Sequence, residues 1–560
     1  MSSTETTSLL GRKNGRSTVA KAVLAITLSV FALMVVKMLS ETPGTVLPSC
    51  ADPGTPNSPS TGFRNWTAHF SDPRFVTAAA ERLGGAVRIA TQTFESMNDV
   101  PPPLDVPDSP REGLANLRVF LQNSFPKTYV PYLNWCCPSS DKLSFPRHST
   151  LKQTVISRYS LVYTWKGSDL SLKPLLFLAH LDTVPVLAET IENWTYPPFS
   201  GFIDFENDAI WGRGAVDTKS SLLGILEAVE LLLGNGFIPK RTIYLVFGHD
   251  EEIGGIQGAL SVAVYFRETL KLNGKIGMII DEGLDSFSVV ENSHINLAKV
   301  FITEHRPLTY NITVRTPGGH SSVPPPHSGI GIMSQLISSL ESHPYQPRLS
   351  RSSIFLKTVI CTNEYTPADK RDPIIANSLA NFDDSKNAHR LAAHLSANSL
   401  ADRYRMSTSQ AVTIINGGLK VNTLPESVVA AVQYRVSVED TFEQIAFNTW
   451  TQLLEVAQRL QVNLTVESFQ GESIYRTYNV GNAVGNILVK LMIPSLPASS
   501  VAPTNDDVWK LLAGTIHHVY DSDETKHVVT PGLMLGNTDS RHFMDFSDHI
   551  YRFGNIYLGI

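Results

Sequence analysis

Five short stretches of this sequence set acids and imidazoles at spacings that hydrolytic chemistry can use. HLDTVP carries His180 and Asp182, GRGAVDTKSS carries Asp217, GHDEEIGG carries Glu251 and Glu252, DEG carries Asp281 and Glu282, and TDSRHF carries His542. Taken singly, each acid reads as an ordinary turn or cap residue. Taken together, imidazoles and carboxylates without a thiolate suit zinc, with manganese or cobalt as substitutes, whereas calcium would want more oxygens. Two divalent ions bring four positive charges, which Asp217, Glu252, Asp281 and one ionised water bring close to neutrality. Paired metals roughly 3.5–4 Å apart activate a shared water and polarise a carbonyl oxygen, the needs of amide hydrolysis. Glu251 and Glu252 are adjacent, so one can bind metal while the other takes a proton from that water and passes it to the leaving amine. Asp182, two residues from His180 on an extended strand, points the same way and can fix the imidazole. His249, His294, His305 and His327 read as surface or satisfied core histidines.

These groups need a frame that gathers them at one edge. From about Leu172 to Gly283, short apolar runs (PLLFLA, TIYLVF, IGMII) alternate with helical patterns, a rhythm that predicts a parallel sheet with helices on both faces. Each run ends in one of the acid-bearing stretches, and open α/β sheets bind ligands beyond the carboxyl ends of their strands. The helix after Asp217 sets Leu222, Leu226, Val229 and Leu233 on one stripe. After about Lys299 the pattern changes: TYNITVRT, VVAAVQYRV and NLTVESF read as strands around a helix from Thr441 to Leu460. GNAVGNILVKLM and DDVWKLLAGTIHHVY read as helices, GLMLGNTDSRHF as a strand returning to the first sheet, and 366–409 as irregular loop with short helices. The expected fold class is α/β: a parallel-centred sheet over 61–299 and 476–560 that carries catalysis, and an inserted α+β domain with an antiparallel sheet over 300–475.

With TPGGHSSVP added, the six strings in this order resemble the carboxypeptidase S and aminoacylase-like dizinc metallopeptidases, carboxypeptidase S most of all, from about Asn65 to Phe553. The resemblance implies a zinc-peptidase-like fold, two Zn2+ per chain, and an inserted domain that serves as lid and dimerisation surface, hence a homodimer. It implies Asp217 as bridging ligand after a cis peptide to Thr218, His180 and Asp281 on one zinc, Glu252 and His542 on the other, and Glu251 as general base. His320 matches the family's oxyanion-stabilising histidine, delivered by the lid and sometimes by a partner subunit. Asn422 and Arg435 match its ligands for a substrate carboxylate, which a guanidinium fork grips bidentately. The implied activity is removal of C-terminal residues from short peptides. The alternatives are hydrolysis of N-acyl amino acids by the same site, or an inactive binding protein that keeps the fold. Relatives of this type usually continue after the position of His542 through another segment and a final helix that packs on the catalytic sheet, so either the sequence is truncated or, in a protein that ended at Ile560, an apolar sheet face would be uncovered.

Composition narrows the field. The 560 residues are 42 % hydrophobic and 18 % charged, which supports packed cores and excludes disordered and coiled-coil classes. Lys+Arg total 46 against Asp+Glu 52, a formal charge of −6, with no long basic run beyond the N-terminal tail, so nucleic acid is not an expected partner. Four cysteines (Cys50, Cys136, Cys137, Cys361) lack zinc-finger spacing and allow three pairings. The run Ala22–Val36, flanked by Lys21 and Lys37, reads as an uncleaved signal anchor over 19–39. A cytosolic tail (1–18) would precede it and a Pro/Ser/Thr/Gly-rich luminal stalk (40–60) would follow. Glu5 with Leu9 and Leu10 resembles an acidic dileucine signal read by a sorting adaptor, which implies a vacuole or lysosome-like compartment. Sequons at Asn65, Asn193, Asn311 and Asn463 fit that placement.

Overall fold

The computed structural model describes residues 47–50, 52, 69–128, 151–383, 385–467, 474–492 and 499–554. The apolar runs become strands Leu175–His180, Ile243–Gly248 and Met278–Asp281, paired in parallel with Leu175–His180 in the middle. Both faces of these strands are covered, which is why their sequences are almost continuously apolar. Leu245 and Phe247 face one way, toward helices Glu112–Ser124 and Ser220–Gly234, while Tyr244 and Val246 face helix Ala259–Glu268. Leu222, Leu226 and Val229 of the expected stripe are buried, and Leu233 packs at its margin.

The sheet has nine strands and is mixed, with its parallel part at the centre. On one side it extends through the antiparallel pair Ser160–Trp165 and Leu151–Ile156. On the other, Ile550–Arg552 runs parallel to Met278–Asp281 and meets Ile295–Glu304, which pairs in parallel with Lys526–Met534. Helix Asp507–Tyr520 packs Trp509, Leu512 and Ile516 onto that half.

A second, six-stranded sheet is mostly antiparallel, in the order Ser409–Gly417, Ser427–Val436, Arg306–Arg315, Asn486–Leu491, Asn463–Glu467, Ile474–Tyr478. Tyr310, Ile312 and Val314 point into a core shared with helices Gly329–Glu341 and Phe442–Leu460. The second of these starts at a capping box between Thr441 and Gln444. One element differs from the sequence reading: GNAVGNILVKLM supplies a strand, not a helix. Ile487, Val489 and Leu491 are buried in alternation with Asn486, Leu488 and Lys490, a period of two. The second sheet therefore reaches past residue 475. Helices Pro373–Ala380, Lys386–Asn398 and Leu400–Arg405 occupy the stretch 366–409 read as loop with short helices, and with the preceding helix Ile354–Tyr365 they surround a core of their own.

Cys50 is disulfide-bonded to Cys361 of helix Ile354–Tyr365, while Cys136 and Cys137 lie outside the described residues. The tail with Glu5, Leu9 and Leu10, the anchor over 19–39 and most of the stalk also lie outside them. Among the described residues no helix is long and apolar enough to cross a membrane. That finding corrects the localisation read from the sequence, a single-pass membrane protein of a vacuole or lysosome-like compartment: no spanning helix supports it.

Candidate metal centre

His180 is the last residue of its strand and is 1 % exposed. Its Nδ1 lies 3.0 Å from the Asp182 carbonyl oxygen and 3.3 Å from Asp182 Oδ1. With one proton held there, Nε2 faces Asp217 Oδ1 at 3.0 Å and Glu282 Oε1 at 3.5 Å, and it becomes a metal ligand once its own proton gives way to a cation. Ligand atoms of His180, Asp217 and Glu282 all lie within 4.8 Å of one another. A neutral imidazole with two carboxylates is a donor set that zinc accepts, and the buried Glu282 Oε2 has no partner, so these residues fit a metal ion. Asp217 is presented by a turn with a cis peptide to Thr218, and Lys219 anchors that turn. Lys219 is buried and donates from Nζ to Ala86 O (3.0 Å) and Ile89 O (2.7 Å), at the C-terminal end of helix Pro73–Val87.

The expected ligand Asp281 is not in this cluster. Its Oδ1 accepts from Glu282 N–H at 2.9 Å and its Oδ2 from Ser540 N–H at 2.7 Å, while its neighbour Glu282 faces His180. Successive residues at a strand end point to opposite sides, so a one-residue choice decides which acid reaches the crevice. Glu252 lies beside the cluster, its Oε1 accepting from Val184 N–H at 3.1 Å. His542, in the short turn Asp539–His542, donates from Nε2 to Gly254 O at 2.9 Å, leaving a buried Nδ1 with no partner. Burial and the nearby Arg541 guanidinium hold its imidazole neutral, with the pKa down to about 4.

Asp182 joins the parts. Fully buried, it accepts from Thr93 Oγ1–H at 2.8 Å, from Glu251 N–H at 3.1 Å and from Glu252 N–H at 3.1 Å. Glu251 in turn takes Arg541 Nη2–H on Oε1 at 2.9 Å. Burial raises the Glu251 carboxyl to about 8 against the pull of Arg541, and raises Glu252 to about 7 against that of His180. His180 is pushed well above its ordinary value because Glu282, Asp182 and Asp217 outweigh its burial. Acids this crowded hold protons until a cation replaces them.

Peptidase family M20/M25/M40 matches residues 176–557. The chain belongs to this family. It is 33 % identical to carboxypeptidase S of Saccharomyces cerevisiae over 487 residues, 86 % of this chain and 78 % of that one. It is 30 % identical to the bovine N-fatty-acyl-amino acid synthase/hydrolase PM20D1 over 493 residues, 86 % of this chain and 81 % of that one. The peptidase is thus carboxypeptidase S-like and by class a metallocarboxypeptidase. Its fold is that of the dipeptidase Dug1p of S. cerevisiae (TM-score 0.55, 14 % identity, 88 % of this chain and 92 % of that one). Human carnosine dipeptidase 1 shares it too (TM-score 0.54, 12 % identity, with the same coverage).

The remaining expected residues of the peptidase lie apart from the metal cluster. His320 and Asn422 are exposed on a two-stranded ribbon, Gly319–His320 with Thr423–Leu424. His320 Nδ1 accepts from Ser322 N–H at 3.2 Å. Arg435 reaches from the second sheet to the first domain, donating from Nη1 to Asn537 Oδ1. Of the sequons, Asn193 is exposed and Asn311 half-buried on a paired strand. Asn463 uses its amide, donating to Asn486 Oδ1 at 2.9 Å and accepting from Val480 N–H at 2.8 Å, and Asn65 lies outside the described residues. Sequence reasoning missed Arg541 as the partner of Glu251 and Glu282 as the acid facing His180. The SRH of TDSRHF was the only available hint of the first.

Proposed function

We propose that this chain is a dizinc carboxypeptidase that hydrolyses the C-terminal peptide bond of short peptides, with Glu251 as general base. The observation that carries the reading is the His180–Asp217–Glu282 cluster, with Glu251 and Glu252 tied beside it by Asp182. His180, Asp217 and Glu282 would hold one zinc, and Asp217, Glu252 and His542 the other, with manganese or cobalt as substitutes. When bound, the pair supplies activation of water and polarisation of the scissile carbonyl. Glu251 takes the proton of the attacking water on the carboxylate that Arg541 orients, then returns it to the leaving amine. The lid comprises the second sheet, and Arg435 with Asn422 grips the free carboxylate of the substrate. His320, whose Nδ1 accepts from Ser322, carries its proton on Nε2 and offers it to the oxyanion when the ribbon reaches the cleft by lid closure or from a second copy.

A second reading, hydrolysis of N-acyl amino acids at the same site, is supported by the similarity to PM20D1. The test assays the purified chain and Glu251→Ala on a blocked dipeptide and on an N-fatty-acyl amino acid, with metal content measured alongside. Two metals per chain and Glu251-dependent cleavage of the dipeptide support the carboxypeptidase. Preference for the acyl substrate promotes the second reading, and folded protein that takes up no metal and turns over neither substrate overturns both.

A further inference from the structure

The turn that carries His542 is fixed by buried acids at the ends of two strands of the first sheet. Ser540 N–H donates to Asp281 Oδ2 at 2.7 Å, from the end of strand Met278–Asp281. Thr538 N–H and Oγ1–H donate to Glu304 Oε2 at 3.2 and 3.3 Å, from the end of strand Ile295–Glu304. Glu304 is itself paired with Arg552 Nε at 3.0 Å, both residues almost fully buried. The turn also fits flush against its surroundings: a Cβ at Gly255 would lie 2.7 Å from Asp539 Oδ1 and 3.0 Å from His542 Nε2. Asp281 has spent both oxygens, one on Ser540 and one on Glu282 N–H. Removing its carboxylate strands two backbone donors, and that of Ser540 belongs to the turn itself.

We propose that Asp281 and Glu304 are positioning residues that lock the Thr538–His542 turn, so that Asp281 sets the place of His542 while Glu282 takes the place at the metal. The metal consequence rests on the dizinc reading above, whereas the locking of the turn does not. A side chain that orients a ligand from behind changes metal affinity by about 10–100-fold, less than loss of a ligand does. Asp281 acts chiefly through His542: its removal weakens the metal on the His542 side most, and on the His180 side it costs the hydrogen bond to Glu282 N–H while the Glu282 carboxylate stays.

The experiment follows amide hydrogen exchange of the peptide covering 536–546, together with zinc content, in the full chain before and after chelation. The variants are Asp281→Ala, Asp281→Asn, Glu304→Gln and Thr538→Val. Asp281→Ala is expected to speed exchange in that peptide about tenfold or more, with or without metal, while the peptide around His180 stays at the native rate. Asp281→Asn keeps one acceptor and is expected to be intermediate; Thr538→Val, which keeps the fold's buried volume, gives a smaller rise. In zinc content, Asp281→Ala combined with His542→Ala is expected to match His542→Ala alone, and combined with Glu282→Gln to lose both ions. Native exchange in the turn with Asp281→Ala overturns the proposal, and loss of both ions when Asp281→Ala is combined with His542→Ala, where His542→Ala alone keeps one, overturns it as well and makes Asp281 a ligand on the His180 side. Fewer than two ions in the unaltered chain refutes the dizinc reading instead, and the exchange rates still decide the locking of the turn.

Discussion

Asp182 makes the largest demands of any residue at the site, because one buried carboxylate serves His180, Thr93 and the backbone of both Glu251 and Glu252. An amide cannot do this, since its NH2 end would face an N–H donor. Asp182→Asn should therefore weaken metal binding by about 10–100-fold in chelator competition while the far-ultraviolet circular dichroism stays native. Glu251→Gln should lower kcat by about 10²–10⁴-fold with metal content unchanged, as expected for a residue that moves a proton and holds no metal. At this scale the sequence was informative about which residue types gather, because HLDTVP, GRGAVDTKSS and GHDEEIGG each sit where a strand meets a turn. It was silent on the choice between Asp281 and Glu282, since adjacent acids at a strand end differ only in the side they face, and that is set by Ser540, 259 positions away in the chain.

The elements around the site are held by different cores, which separates their failures. Leu226 is fully buried where helix Ser220–Gly234 meets the first sheet, and Leu336 is fully buried between helix Gly329–Glu341 and the second. Each change to alanine should cost about 2–5 kcal/mol in denaturant unfolding. Leu226→Ala should also loosen metal, because the same helix follows the turn of Asp217, whereas Leu336→Ala should leave metal affinity native. The parallel strands were readable because burial on both faces demands unbroken apolar runs. Asn486–Leu491 was not, because GNAVGNILVKLM satisfies a helical period nearly as well as a strand's, and only its place between Arg306–Arg315 and Asn463–Glu467 settles the matter.

Across the whole molecule, residues 47–50 and 52 are fastened to helices Ile354–Tyr365 and Asp507–Tyr520. Cys50 is bonded to Cys361 and donates from its N–H to Glu364 Oε2 at 2.7 Å. Asp52 meets His517 Nε2 at 2.8 Å, and Asp521 meets His517 Nδ1 at 3.2 Å. The hydrogen bond to Asp52, with Asp521 adding to it, raises the His517 pKa above 6.5. A raised folded-state value means that this stabilisation is complete below about pH 6.5 and is lost as pH rises through the raised value. The gap in thermal midpoint between the native chain and His517→Gln should accordingly be widest at pH 5–6 and close toward alkaline pH. Cys361→Ser should cost about 2–4 kcal/mol, read as a shift in unfolding midpoint that reducing agent reproduces in the native chain. Strand order carries a last consequence. Ile550–Arg552 lies between Met278–Asp281 and Ile295–Glu304, yet a ribosome makes it after every other described strand. A nascent chain can thus bring His180, Asp217 and Glu282 together before it can close the middle of its sheet or seat His542. Chains cut short before this strand should therefore lack peptide-cleaving activity, and a nick that removes it should disarm the enzyme while sparing the His180–Asp217–Glu282 cluster.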